Sequence, residues 1–223
     1  MINAKHLPQR GNMAVHSRGA MRVFCLATAC ALLAVAAPAT IAAPAAIDMT
    51  RVSESQVTMV DVSRPNTPGK SFAAATVIAA PLAKICATLQ DYSGYPAFMP
   101  NTESARVSAS AADHKLVDMT LKLPMGKVKK YRLKMAAQTT AQRCQLSWKL
   151  VPWEGLKQEE TIADTSGAWI LTPAADPART VVSYSVYTDP GPVPMGLGWV
   201  VDSMSKDSIP KMIDALRARV AQP

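Results

Sequence analysis

Three successive stretches of the chain alternate apolar and polar residues with a period of two. In 114–123, Val117, Met119, Leu121 and Leu123 share one face. In 127–138, Tyr131, Leu133 and Met135 alternate with Lys130, Arg132 and Lys134. In 143–151, Cys144, Leu146, Trp148 and Leu150 alternate with Arg143, Gln145, Ser147 and Lys149. A strand that is apolar on one side and polar on the other has one buried and one wet face, which predicts an antiparallel sheet. A last hairpin is expected over 161–172 and 179–188, turning at Pro173 to Pro177.

Upstream, 57–62, 72–79 and 104–108 read as further strands, the first two separated by a Pro/Gly turn at 64–69. Pro81 opens a helix at a position where its missing N–H costs nothing. Leu82, Ile85 and Leu89 form its apolar stripe, with Cys86 alongside. Residues 92–100 predict a second short helix or turn, bounded by Gly94 and Pro100. Downstream of the hairpin lies a Pro/Gly-rich hinge, 189–196, and then a long amphipathic helix over 198–220. Its apolar positions are Val200, Val201, Met204, Met212, Ile213, Leu216 and Val220, mostly three or four apart. Pro210 is expected to kink it. The order predicts the α+β class: a curved antiparallel sheet gripping a long C-terminal helix, with two short helices after the first strands. The space between helix and sheet is either filled by side chains or open to an apolar ligand.

The N-terminal 1–45 reads as a leader rather than as fold. Met21-Arg22 begins a basic flank, 23–37 is an uncharged apolar run, and small residues follow at 42–46. This is the pattern of a secretory signal peptide; the run is short for a membrane span of ~20 residues. Cleavage is expected after Ala45 or Ala42, and the start of translation could be Met1, Met13 or Met21. The alternative is an uncleaved anchor. The expectation is therefore an exported protein, in the periplasm of a Gram-negative bacterium or, as the alternative, secreted, with 46–223 as a single ligand-binding domain. Lys5, Arg10, Arg18 and Arg22 belong to the leader, which has no acidic residue, so half of the net charge of +8 leaves with it. What remains is no nucleic-acid-binding balance. Cys25 and Cys30 also fall in the leader. Cys86 and Cys144 remain, both on inward faces; they could pair or stay as two buried thiols.

Three stretches carry a resemblance: Ala79-Ala80-Pro81-Leu82 with Asp91-Tyr92-x-x-Tyr95-Pro96-x-Phe98-Met99-Pro100; Gly167-x-Trp169-x-Leu171-x-Pro173 with Arg179-Thr180-x-Val182-x-Tyr184; and Asp189-Pro190-Gly191-x-x-Pro194 leading into the last helix. In this order they resemble the START-like, helix-grip (SRPBCC) superfamily of lipid-transfer proteins and polyketide cyclases. The resemblance implies a cavity under the C-terminal helix that holds a hydrophobic molecule, such as a lipid, sterol or quinone. It also implies a mostly non-catalytic family with some aromatases and cyclases. The chain departs from the family at the hinge, where Gly191-Pro192 stands in place of a frequent Gly-Gly pair.

Chemistry-bearing constellations are sparse. His114 is the one histidine outside the leader, beside Asp113 and Lys115 in turn-like surroundings, so no supported Ser-His-Asp site is expected. One His and two separated Cys make no zinc set, and no Gly-rich phosphate loop follows a strand. No cofactor and no metal are expected, and the protein is expected to be a monomer. The candidate ligand contacts are Tyr131, Met135, Trp148, Trp169, Tyr184, Met195, Val201, Met204 and Met212; ordinary core packing is the alternative for each. An enzymatic alternative, a cyclase or aromatase on a polyketide or aromatic substrate, would use Glu160 or Tyr184 for proton transfer. A carboxylate buried in such a cavity would have a raised pKa. The plain alternative for Glu159 and Glu160 is that both are solvated. Lys130, Arg132, Lys134, Arg143 and Lys149 form an outer basic face suited to transient contact with anionic headgroups, or a solvated face that discourages edge aggregation.

Overall fold

The computed structural model describes residues 47–123, 126–192 and 198–222, the last with side chains from Lys206 onward. The predicted leader, the hinge residues 193–197 with Met195, and the side chains of Val201 and Met204 lie outside the described residues.

Eight strands form one antiparallel sheet: β1 (Thr58–Asp61), β2 (Lys70–Ile78), β3 (Thr102–Ser110), β4 (Lys115–Lys122), β5 (Val128–Thr139), β6 (Cys144–Val151), β7 (Asp164–Pro173) and β8 (Thr180–Asp189). Their order is β1-β2-β8-β7-β6-β5-β4-β3. Two helices complete the fold, α1 (Leu82–Gln90) after β2 and α2 (Gly198–Ala221) at the end. A 3₁₀ turn, Tyr92–Ala97, follows α1, with Asp91 capping it through a bond to the Gly94 N–H. This is the curved sheet and gripping helix that the alternation predicts.

The sheet register explains which residues meet. Met135 on β5 lies opposite Trp148 on β6, which lies opposite Gly167 on β7. One row further along, Leu146, Trp169 and Tyr184 are neighbours across β6, β7 and β8. Gly167 is needed here for space: a Cβ would sit 2.3 Å from the Trp148 ring and 2.3 Å from the Ser185 carbonyl oxygen. Its absence lets the indole lie across the sheet.

The inner face, α1 and α2 share one core. Ile85 and Leu89 of α1, Leu146 and Leu171 of the sheet, and Ile213 and Leu216 of α2 are all fully buried within it. Cys86 and Cys144 form a disulfide, with Cα atoms 6.1 Å apart, that ties α1 to the start of β6. Of the two states the sequence left open, the structure adopts the paired one. Closing a loop of 58 residues contributes about 4 kcal/mol in the chain-entropy view. The Lys84 ammonium donates to the Gln222 carbonyl at 2.7 Å and ties α1 to the end of α2.

One boundary is corrected. The seventh strand begins at Asp164, not at 161, because a 3₁₀ turn at Gln158–Glu160 precedes it. The α2 helix runs through Pro210 as one continuous element. A small second apolar cluster, not anticipated, lies on the other face of β2. There Ile47 and Val52 of the entering chain cover Ala73 and Ala75. Small residues on both faces of β2 allow this double coverage. Among the described residues no helix is long and apolar enough to cross a membrane.

Candidate functional site: a cavity between sheet and helix

The inner face and the middle of α2 do not meet everywhere. A cavity of about 360 Å³ remains between them. Tyr131, Met135, Trp148, Trp169 and Tyr184 from the sheet and Met212 from α2 all line it. Six of the nine predicted contacts therefore face one space; Met195, Val201 and Met204 lie outside the described residues. Tyr95 and Met99, after α1, close one side. The Tyr95 hydroxyl donates to the Leu89 carbonyl at 2.6 Å, so its polar atom holds the 3₁₀ turn to α1.

Aromatic rings set the shape of the wall. Trp148 stacks on Tyr184 with centroids 5.7 Å apart, and Trp169 packs tilted against the same ring at 4.5 Å. Such offset and tilted pairs are favourable and rigid. The hydroxyls of Tyr131 and Tyr184 have no hydrogen-bond partner among the described residues. Burial pushes both phenols well above the ordinary tyrosine pKa, so both stay protonated and able to donate.

Lys129 lines the cavity as well, and the sequence reading passed over it. Its ammonium donates to the carbonyls of Glu159 at 2.9 Å and Thr161 at 2.5 Å. Burial lowers its pKa, opposed in part by the Glu159 carboxylate. A signal was present: Lys129 shares parity with Tyr131, Leu133 and Met135, and so belongs to the inward stripe of β5. Thr165 and Thr188 add hydroxyls to the wall, but Thr165 already donates to the Tyr187 carbonyl at 2.8 Å.

Glu160 is not in the cavity. It is exposed, and its carboxylate accepts from the Lys157 N–H at 2.9 Å, capping the 3₁₀ turn before β7. That local cap turns the carboxylate outward and separates it from Tyr184; Glu159 is exposed too. His114 is half-buried beside Asp113, with Nδ1 2.7 Å from its carboxylate, and does not line the cavity. Among the described residues no cluster of His, Cys, Asp and Glu could hold a metal ion.

The outer basic face is partly neutralised. Arg132 forms a two-point pair with the buried Asp118 at 2.6 and 3.0 Å and lies over the Trp153 ring at 5.0 Å. Burial alone would raise the Asp118 carboxyl, but hydrogen bonds from Arg132 and Ser108 outweigh it and hold it below the usual range. Lys134 approaches Asp113 at 3.9 Å, while Lys130, Arg143 and Lys149 are exposed.

This fold and this space define a helix-grip protein with an apolar cavity. Residues 78–217 match the family model described as polyketide cyclase / dehydrase and lipid transport, and the chain belongs to that family. Solved structures share the fold at low identity. A STAR-related lipid transfer protein from Xanthomonas axonopodis (fragment 25–204) superposes with a TM-score of 0.65 at 16% identity, over 74% of this chain and 94% of that one. Human StAR-related lipid transfer protein 5 gives 0.62 at 13%, over 74% and 82%. The Zhui aromatase/cyclase from Streptomyces sp. R1128 gives 0.56 at 12%, over 75% and 95%. At these identities the likeness is one of fold. No curated protein matches the chain in sequence.

Proposed function

We propose that the protein is an exported binding or carrier module for a hydrophobic small molecule, held between the inner sheet face and α2. The observation that carries this reading is the apolar cavity of about 360 Å³ walled by Trp148, Trp169, Tyr184 and Met212. Ligand sites run from ~300 Å³ upward and have mostly apolar walls with a few placed polar groups. The space is of a size to take an acyl chain or a fused ring system. Capture would come from apolar burial, at ~25 cal/mol per Å² removed from water.

The family's lipid-transport side is favoured over its cyclase side by the cavity's chemistry. Among the described lining residues there is no Asp, Glu or His, and Glu160 faces solvent. Tyr184, with its pKa raised by burial, is suited to donate a hydrogen bond rather than to act as a base near neutral pH. Export is supported by the signal-like 1–45 and by the Cys86–Cys144 bond, since disulfides persist in oxidising compartments. Finding the native protein in the cytoplasm with both thiols reduced would contradict export.

Native mass spectrometry of the protein purified from its own cells tests the carrier reading. The expected result is a stoichiometric hydrophobic adduct that organic extraction removes. A protein that carries nothing and takes up neither acyl-chain nor fused-ring probes would overturn it.

A further inference from the structure

The walls of the cavity are not all held alike. The strands that line it are joined by ladder bonds, and the Cys86–Cys144 bond ties α1 to β6. The last turns of α2 are fastened by Arg217, which donates to the Thr76 hydroxyl and to the Val77 carbonyl, and by the Lys84 bond to Gln222. The connection from β6 to β7, residues 152–163, is different. Its Ile162 lines the cavity, as does Thr165 just beyond it, so the connection forms part of the wall. Yet, among the described residues, no backbone hydrogen bond joins it to the sheet before Ala163, whose N–H donates to the Asp189 carbonyl at 3.0 Å. Ile162 is also its one side chain within the buried core, while Glu154, Lys157, Glu159 and Glu160 are exposed. A segment with few buried contacts and few backbone bonds to its surroundings is among the first to open.

Two cations of β5 hold it, one from each face of the sheet. Lys129, on the inner face, donates to the carbonyls of Glu159 at 2.9 Å and Thr161 at 2.5 Å, and the Glu159 carboxylate acts on the same ammonium. Arg132, on the outer face, lies over the Trp153 ring at 5.0 Å and is acted on by the Glu154 carboxylate. The connection thus wraps the start of β5 and is gripped from both sides. Its other bonds are internal. The Lys157 N–H donates to the Glu160 carboxylate at 2.9 Å and the Leu156 N–H to the Trp153 carbonyl at 3.3 Å, which keeps the segment compact.

We propose that the connection 152–163 is the movable wall of the cavity, through which ligand enters and leaves, and that Lys129 is the tie that sets the rate. In the closed form Lys129 and Arg132 hold the segment over the start of β5, with Ile162 against the ligand space. In the open form those contacts break together, the freed ammonium and carbonyls pass to water, and the gap beside Ile162 and Thr165 admits an apolar molecule. The ladder from Asp164 onward stays intact. Lys129 is here a positioning residue that acts through the backbone of 159–161. This rests on the carrier reading and adds the route to it.

Stopped-flow mixing of the purified protein with N-phenyl-1-naphthylamine, followed by the probe's fluorescence, and with dodecanol, followed by tryptophan emission, tests it. Opening precedes both entry and exit, so loosening the tie speeds both and leaves their ratio. Lys129→Met keeps the side chain's length; it should raise association and dissociation rates each about tenfold, with affinity within about threefold. Trp153 is not among the residues that line the cavity, and Trp153→Ala should raise both rates about threefold with affinity unchanged. Leu216→Ala, on the fastened part of α2, separates opening from loss of stability: it should lower the unfolding midpoint and leave both rates within about twofold. Rates unchanged in both Lys129→Met and Trp153→Ala, or raised as much by Leu216→Ala, would overturn the route and leave the carrier reading standing. Faster dissociation of Lys129→Met with no change in association would make Lys129 a ligand contact and overturn its role as a tie. If neither probe binds the native protein, the carrier reading falls and the route with it.

Discussion

The two ends of the space between sheet and α2 are built from the same strands and the same helix, yet one is solid and the other hollow. At the solid end, Ile78, Leu146, Leu171 and Val182 of the sheet meet Ile85 and Leu89 of α1 and Ile213 and Leu216 of α2, all at 2% exposure or less. The disulfide and the Lys84 to Gln222 bond fasten that end. At the hollow end α1 is not interposed, and Ile209 and Met212 face Tyr131, Trp148 and Tyr184 across open volume. Aliphatic side chains of similar size interlock and fill space. Large rings fixed by one another, Trp148 on Tyr184 and Trp169 on Tyr184, stand as walls and do not collapse inward. Alternation determines which face a residue takes; the shapes on that face and the presence of a third layer decide whether the space closes.

Substitutions at the two ends should therefore behave differently. The largest effect is expected from removing the disulfide with Cys86→Ala and Cys144→Ala together. This should cost about 4 kcal/mol in denaturant unfolding and leave ligand affinity unchanged wherever the protein remains folded. Leu216→Ala should cost about 3 kcal/mol, as for other fully buried leucines. Gly167→Ala should cost about 2 kcal/mol by overpacking, because the new methyl meets the Ser185 carbonyl and the Trp148 ring. It should also weaken binding, since the indole must swing into the cavity. Trp148→Ala should cost the least stability, about 1–2 kcal/mol against the ~3–5 typical of a tryptophan enclosed in a core. Binding should nevertheless fall about tenfold with the lost wall. If Trp148→Ala proved as destabilising as Leu216→Ala, the two ends would not differ and Trp148 would be plain core.

Most of the frame was legible in the sequence. The stripes of β4, β5 and β6, the α1 stripe beginning at Leu82 and the extent of α2 follow from periods of two and of three to four. Cys86 and Cys144 were both placed inward, but their pairing depends on how closely α1 approaches β6, which no local pattern encodes. Glu160 was open to misreading because Thr161 and Ile162 extend the strand pattern backward, while the reciprocal contact between the Glu160 carboxylate and Lys157 closes a turn there instead. Lys129 had the right parity but stands next to the turn after β4, where a lysine reads as solvated. Nor did alternation reveal that the Tyr131 and Tyr184 hydroxyls lack hydrogen-bond partners among the described residues. That depends on the distance across a curved sheet.

The most direct test of the central claim is a crystal structure of the protein grown with a terminally brominated dodecanoic acid, with the bromine located by anomalous scattering. The account predicts one strong bromine peak between the sheet and α2, among Trp148, Trp169 and Met212. An inner space occupied by repacked side chains, with bromine only on the outer surface, would contradict it.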